Sequence, residues 1–243
     1  MPSSRICYIC GEKLIDIPRG HQGPLLPRHR TRDHIPPQGM FNDPKPSNLI
    51  TASCCSDCNG KHSDFDEQFR VLCSLELKAN TGGRKILFEK VIGSTIFNSR
   101  QPAFMRKIHQ TMREEEITTE QGPKCVGKFS ADRRPIEQGV ISITKGLLAQ
   151  FYQGFNYHGD TFMALHINSA TLAAGQAGTQ QKMIEELETK TQGEVLGNHG
   201  EFRFWRKVER EAQRGVWLLR FYDALNFIVF HHRSSESYDP VPT

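Results

Sequence analysis

The residues best suited to chemistry lie within a short N-terminal stretch. Asp33 and His34 are adjacent, Asn48 follows, and Asn59 comes directly after a Cys-x-x-Cys pair. A histidine beside a carboxylate can act as a general base, because imidazole changes protonation near neutral pH. Carboxylate and amide oxygens are the ligands that hard divalent cations prefer. These residue types together indicate metal-assisted hydrolysis of the kind that a metal-dependent nuclease performs.

Two Cys-x-x-Cys pairs, Cys7 with Cys10 and Cys55 with Cys58, predict a structural zinc site. A two-residue gap lets both sulfurs of a pair bind one ion at about 2.3 Å. The pairs enclose 44 residues, more than in an ordinary zinc ribbon, so we expect a folded segment between them. The adjacent Cys54 makes the register ambiguous, and we choose Cys55 because it alone leaves the two-residue gap. The alternative is that one pair is redox-active or coincidental.

Length, charge and apolar content set the broad class of the protein. The chain has 243 residues, enough for one large domain or two small ones. Its net charge of +4 permits nucleic-acid binding without arguing for it. No apolar run approaches the roughly 20 residues that span a bilayer, and the N-terminus lacks the apolar core of a signal peptide. We therefore expect a cytoplasmic protein without membrane contact, whose paired cysteines bind metal.

The local structure around the motif must place its residues together. Two prolines follow His34 and prevent a helix there, so residues 31–37 are expected to form a strand end and a rigid turn. Residues 48–51 predict a second strand, paired with the first. Apolar residues at helical spacing then predict a helix over about 58–77. The expected result is a ββα unit clamped by zinc at its ends.

The remainder of the chain predicts a mixed α+β part that carries no assignable motif. The sequence Asn-Thr-Gly-Gly at 80–83 ends the helix and suggests a domain boundary, with one domain over 1–80 and another over 84–243. Residues 113–137 are expected to form a long connection, and residues 175–200 a polar, mobile loop. Further helices are expected near 87–92, 104–112 and 143–151, strands near 202–205, 216–222 and 227–230, and disorder after 233.

The order Asp-His, Asn, Cys-x-x-Cys-Asn resembles the HNH endonuclease family in its zinc-knuckled ββα-metal form. It is similar in particular to small stand-alone bacterial members that carry Asp-His-Ile-Pro-Pro and Asn-Leu-Ile-Thr segments. The resemblance covers about residues 5–70. It implies an N-terminal ββα-metal unit stapled by a zinc ion on four cysteines, followed by a mixed α+β domain. It also implies hydrolysis of DNA phosphodiester bonds to 5′-phosphate and 3′-hydroxyl ends, in bacterial or phage restriction or defence.

The resemblance further implies a role for each matching residue. His34 matches the general base that activates water, and Asp33 the acidic ligand of a catalytic divalent cation, expected to be Mg²⁺. Asn59 matches the third motif position and would supply the second protein ligand. Asn48 matches the middle position, which steadies the histidine-bearing loop by hydrogen bonding. A histidine fills the third position in one common version of the pattern, so His62, about one helical turn further on, is an alternative ligand.

Basic residues near His34 predict contacts with the phosphate backbone of a nucleic acid. The predicted contacts are Arg28, Arg30, Arg32 and Lys61. Arg19 belongs to the same cluster, and Lys45 lies in the same unit. The alternative is an ordinary solvated loop. Double-stranded DNA is the expected partner. One HNH site cuts one strand, so a homodimer with two antiparallel sites would cut both, and the C-terminal domain could dimerise or bind DNA or a partner.

The competing function is a catalytically inert, zinc-stapled module that binds nucleic acid or another protein. The set of Asp33, His34 and Asn59 favours the enzyme, because binding alone would not need a general base beside two cation ligands.

Overall fold

The structure, a computed structural model, describes residues 5–18, 20–76, 79–95, 102–119, 122–130, 132–153, 157–167, 177–191, 193–197 and 200–233. The elements, in chain order, are β1 (Arg30–Ile35), a 3₁₀ turn (Gln38–Met40), β2 (Ile50–Cys55), α1 (Ser56–Ser74), α2 (Thr81–Ile86), a π-helical segment (Leu87–Thr95), α3 (Pro102–Thr111), β3 (Arg113–Thr119), β4 (Gly122–Lys128), α4 (Arg134–Phe151), β5 (Asp160–Ile167), α5 (Ala177–Lys190), β6 (Glu194–Leu196), β7 (Phe202–Glu209), β8 (Arg214–Phe221) and β9 (Leu225–Arg233). The expected mixed α+β class is confirmed.

Two antiparallel strands followed by a helix form the N-terminal part. In the register of β1 with β2, Asp33 lies opposite Ala52 and His34 lies opposite Thr51. Helix α1 follows β2 directly and packs against both strands. The predicted strands and helix are therefore present in the predicted order. The helix spans Ser56–Ser74, where the sequence predicted about 58–77.

A five-stranded antiparallel sheet forms the C-terminal part, with the order β5-β9-β8-β7-β6. Side chains alternate between the two faces of a strand. In β8, Trp217 and Leu219 belong to the main core on the side of α4, whereas Leu218 packs with Ile184 and Leu187 of α5. The three C-terminal strands predicted from their apolar and aromatic residues are confirmed as β7, β8 and β9.

Two segments that we expected to be irregular contain helices or strands. The stretch 113–137 holds the hairpin β3–β4 and the start of α4. Most hairpin residues are exposed, so no apolar alternation marks these strands in the sequence. The stretch 175–200 holds α5 and β6, and α5 buries little more than Ile184 and Leu187. Strand β5 was not predicted, and the expected disorder after 233 lies outside the described residues.

Helix α4 lies between the N-terminal unit and the sheet. It packs against α1, β1 and β2 on one side and against β5 and β9 on the other. One contiguous cluster of buried side chains runs from Cys7 to Val229 and includes Ile143 and Leu147 of α4. The two predicted domains, 1–80 and 84–243, therefore share a core, and their separate folding stays a prediction. No described helix is long and apolar enough to cross a membrane.

The close approach of α4 to β1 requires a glycine. A Cβ atom at Gly146 would lie 2.5 Å from Cδ1 and 2.6 Å from Cγ1 of Ile35, whose side chain is fully buried next to His34. Overpacking a tight core commonly costs about 1–3 kcal/mol. We expect Gly146→Ala to lower the free energy of unfolding by about that amount, measured by urea denaturation followed by circular dichroism.

The matched control is Gly60→Ala on α1, where an added Cβ would meet nothing within 4 Å. Alanine favours a helix over glycine by about 1 kcal/mol, so this variant should be as stable as the parent or more stable. An equal response of the two variants would contradict the close contact between α4 and β1.

Candidate active site and metal centre

Four cysteine sulfurs converge at the start of α1. The Sγ atoms of Cys7, Cys10, Cys55 and Cys58 all lie within 4.8 Å of one another. Cys55 is the N-cap of α1, and its Sγ accepts a hydrogen bond from the backbone N–H of Cys58 at 3.4 Å. The predicted meeting of the two Cys-x-x-Cys pairs is confirmed. A group of four thiolates at this spacing could hold a metal such as zinc.

The neighbouring Cys54 is placed differently from Cys55. Its side chain is fully buried in the core, and it is absent from the group of four ligands. Its thiol lies 3.8 Å from the Sγ of Cys7. The hydrogen bond from Cys54 lowers the pKa of Cys7 to about 4. Thiolate is the form that binds metal, so Cys54 favours it at Cys7, whereas burial raises the pKa of Cys10 and of Cys58.

The first cysteine pair lies on a tight turn that is attached to β2. The backbone N–H of Gly11 donates to the carbonyl oxygen of Cys7 at 3.0 Å, and Gly11 has a φ of +78° that favours glycine. The N–H of Tyr8, between the two cysteines, donates to the carbonyl oxygen of Ser53 at 3.0 Å. These bonds bring the first pair to the second.

The zinc assignment predicts a different response from adjacent cysteines. The purified protein should contain one zinc ion per chain. The variants Cys55→Ala and Cys58→Ala should lose this ion. They should also unfold at a lower temperature, because the free energy of zinc binding is part of the folding free energy. Cys54→Ala should lose stability through its cavity yet keep its zinc. Elemental analysis and thermal denaturation measure both effects, and zinc lost from Cys54→Ala but kept by Cys55→Ala would reverse the assignment.

A small cavity beside the cysteine cluster is lined by two of the four predicted catalytic residues. Its volume is about 10 Å³, roughly the space that one water molecule needs. Asp33 and His34 of β1 line it, together with His62 and Asp66, which lie four residues apart on one face of α1. The other lining residues are Tyr8, Ile35, Pro37, Gly139, Ser142 and Ile143.

A chain of hydrogen bonds runs around this cavity. The hydroxyl of Tyr8 donates to Oδ2 of Asp33 at 2.6 Å and lies 3.5 Å from Oγ of Ser142. That Oγ lies 3.1 Å from Nδ1 of His62. Burial raises the pKa of Tyr8 well above its usual value, so the phenol keeps its proton and remains a donor. The chain links the cysteine turn, β1, α1 and α4.

Burial also sets the protonation of the ionisable groups. It raises the pKa of Asp33, against the hydrogen bond from Tyr8, which lowers it. It raises the pKa of Asp66 to about 7, with a further contribution from the negative charge of Asp33. It lowers the pKa of His62, which favours the neutral imidazole that can offer a nitrogen lone pair. Two carboxyl groups that repel each other across a small cavity would be stabilised by a cation.

The structure separates the other two predicted residues from the cavity. Asn59 is half-buried in the first turn of α1 and is not among the lining residues. Asn48 is exposed, and its Nδ2 donates to the carbonyl oxygen of Val195 in β6 at 3.3 Å. The hydrogen bond seen for Asn48 therefore joins the β1–β2 connection to the C-terminal sheet. Of the two ligand candidates on α1, the cavity contains His62.

Three of the four predicted nucleic-acid contacts pair with acidic side chains. The pairs are Arg28 with Glu12 at 2.9 Å, Arg30 with Asp16 at 2.9 Å and Lys61 with Asp57 at 2.8 Å. Arg32 is exposed on β1. Each acid offsets part of the positive charge that its partner would present to a phosphate group.

Sequence reasoning missed Tyr8, Asp66 and Ser142. Asp66 carried a usable signal, because it lies four residues after His62 and therefore on the same helix face. Tyr8 stood between two recognised ligands, yet nothing in its surroundings marks it as a partner of Asp33. Ser142 is 80 residues away from His62 in the chain, and only the packing of α4 on α1 brings them together.

Comparisons with protein families, with curated proteins and with solved structures found no match to this chain.

Proposed function

We propose that the protein is a metal-dependent endonuclease of the HNH type that hydrolyses phosphodiester bonds in DNA. The observation that carries the proposal is the cavity that gathers Asp33, His34, His62 and Asp66 beside the cysteine cluster. Burying ionisable groups together is costly, and such clusters are common where proton transfer or cation binding is needed. The order of strand, strand and helix, with the acid and histidine on the first strand, adds support from the fold.

The donors around the cavity suit a divalent cation such as Mg²⁺. Asp33 would be its principal ligand, with His62 or Asn59 as a second protein ligand and Asp66 within the same cavity. Among the described residues, only the four cysteines place three or more ligand atoms of Cys, His, Asp or Glu within 4.8 Å of one another. Mg²⁺ is commonly held by one or two carboxylates and completes its shell with water and substrate phosphate, so Asp33 with one further ligand would be enough. When bound, the cation would polarise the phosphate and stabilise the leaving 3′ oxygen.

His34 is the residue that would move a proton. It lies at the end of β1, followed by two prolines whose rings restrict the backbone, so its position is well defined. Its imidazole would take a proton from the attacking water while Asp33 stays bound to Tyr8. Attack of that water opposite the 3′ oxygen leaves a 5′-phosphate and a 3′-hydroxyl. Restriction or defence is the biological setting we propose, and cutting of both strands would need two sites, as in a homodimer.

The second candidate is the inert module, stapled by zinc, that binds nucleic acid or a partner without cutting. The position of Asn59 outside the cavity favours it, because Asn59 is the ligand that the motif assigns. A plasmid-nicking assay with Mg²⁺ and with EDTA separates the two candidates. Binding without nicking would identify the module.

Replacing the proposed base should abolish cleavage without affecting the fold. We expect His34→Ala to lower the nicking rate by about 100-fold or more, with zinc content and thermal stability unchanged, because general base catalysis contributes about 10²–10⁴-fold. The matched control is His109→Ala, an exposed histidine on α3. Cleavage at the parental rate by His34→Ala would exclude His34 as the base.

The second ligand can be identified by titrating Mg²⁺. Because His62 lines the cavity and Asn59 does not, His62→Ala should raise the Mg²⁺ concentration for half-maximal cleavage by about 10-fold or more. Asn59→Ala should change it less. The opposite order of effects would restore the assignment made from the sequence motif.

A further inference from the structure

Two lysines share one backbone acceptor in the connection between β1 and β2. The Nζ atoms of Lys45 and Lys90 donate to the carbonyl oxygen of Phe41, at 2.6 and 2.7 Å. The two ammonium groups therefore lie side by side, although their residues are 45 positions apart in the chain. Their side chains are 25% and 21% exposed, so both groups are partly desolvated but remain open to a ligand.

Both lysines form an ion pair with the same acid. Asp43 contacts both lysines, at 3.2 Å from Lys45 and 3.9 Å from Lys90, and its side chain is 74% exposed. Exposed ion pairs contribute little free energy, and one carboxylate cannot neutralise two ammonium groups. The positive charge of Arg70 also acts on Lys90. Burial, followed by the proximity of Lys45, lowers the pKa of Lys90 to about 8, as expected of crowded cations.

Arg70 connects the pair with the candidate active site, because its positive charge acts on both Lys90 and Asp66. Arg70 follows Asp66 by four residues on α1, which corresponds to about one helical turn of 5.4 Å. Pro37, which lines the cavity, begins the short segment that leads through the 3₁₀ turn to Phe41. A DNA strand bound at the cavity would carry its next phosphates within reach, since phosphates recur about every 3.4 Å along the axis of each strand.

We propose that Lys45 and Lys90, with Arg70 behind them, bind a backbone phosphate of DNA next to the scissile phosphodiester, an inference that rests on the proposed function. Ammonium groups bind phosphate as compact point charges, and two of them can contact different oxygens of one phosphate. The predicted contacts Arg28, Arg30 and Lys61 each pair with a separate acid. Lys45 and Lys90 instead both pair with Asp43.

The salt dependence of DNA binding tests this site. The probe is a fluorescein-labelled duplex of arbitrary sequence, with binding measured by fluorescence anisotropy without added Mg²⁺ between about 50 and 200 mM KCl. Each neutralised phosphate contributes about 0.9 to the slope of log K against log salt. The two lysines share one phosphate, so the double variant Lys45→Gln with Lys90→Gln should reduce the slope by about 1 and weaken binding about tenfold near the lower salt concentration.

The matched control is the double variant Lys128→Gln with Lys190→Gln. It removes the same formal charge from exposed residues that have their own acidic partners, Glu115 and Glu186, and it should leave the slope nearly unchanged. A purely structural role for the lysines predicts reduced thermal stability with the slope intact. Equal slopes for the lysine double variant and the parent, or equal losses in both double variants, would overturn the proposal, as would a parent that does not bind the duplex.

A second variant keeps the test decisive if the lysine substitutions disturb the fold. Asp43→Asn removes the competing carboxylate at an exposed position and should tighten DNA binding about two- to fivefold, whereas unchanged or weaker binding would count against the site. Cleavage is measured separately with Mg²⁺. If the lysine substitutions reduce the slope but the parent protein does not cut DNA, the nuclease proposal fails and the phosphate site stands. If the parent protein cuts DNA but the lysine substitutions leave the slope unchanged, the phosphate site fails and the nuclease proposal stands.

Discussion

The hydrogen bond from Tyr8 to Asp33 joins the two halves of the candidate site. Tyr8 lies between Cys7 and Cys10, so a metal held by the cysteines fixes the backbone that carries the phenol. The phenol in turn holds one oxygen of a partly buried carboxylate, which would otherwise lack a donor on that side. In the proposed site, the other oxygen of this carboxylate would bind the cation. A structural metal can in this way determine the geometry of a catalytic one without sharing any ligand with it.

Helix α4 contributes to the candidate site a side chain and a close packing contact from outside the N-terminal unit. Ser142 completes the hydrogen-bond chain to His62, and Gly146 lets the helix approach Ile35 closely. The other side of α4 packs on the C-terminal sheet. Because this one helix belongs to both the cavity and the main core, the C-terminal part helps to build the site. This contribution is separate from the dimerisation or partner binding that the sequence analysis predicted for it.

Local patterns predicted the parts of the fold that local interactions determine. The cysteine pairs, β1, β2 and α1 follow from spacing, prolines and helical periodicity, and the aromatic strands β7 to β9 follow from composition. Elements that bury few side chains, such as the β3–β4 hairpin and α5, left too weak a pattern. Tertiary packing decides the rest: Ser142 joins the site through α4, and His62, not Asn59, lines the cavity.

Two groups of basic residues near the candidate site differ in how acidic side chains offset their charge. On the side of the cysteine turn, Arg28 and Lys61 are each matched with an acid, so the local field is weak and screened by salt. On the side of the β1–β2 connection, Lys45 and Lys90 share the exposed carboxylate of Asp43. An approaching polyanion gains more from this unbalanced side, because one shared carboxylate competes less with it than a separate acid on each cation. In the complex that we propose, a bound strand would lie across the connection between β1 and β2, with His34 at its edge.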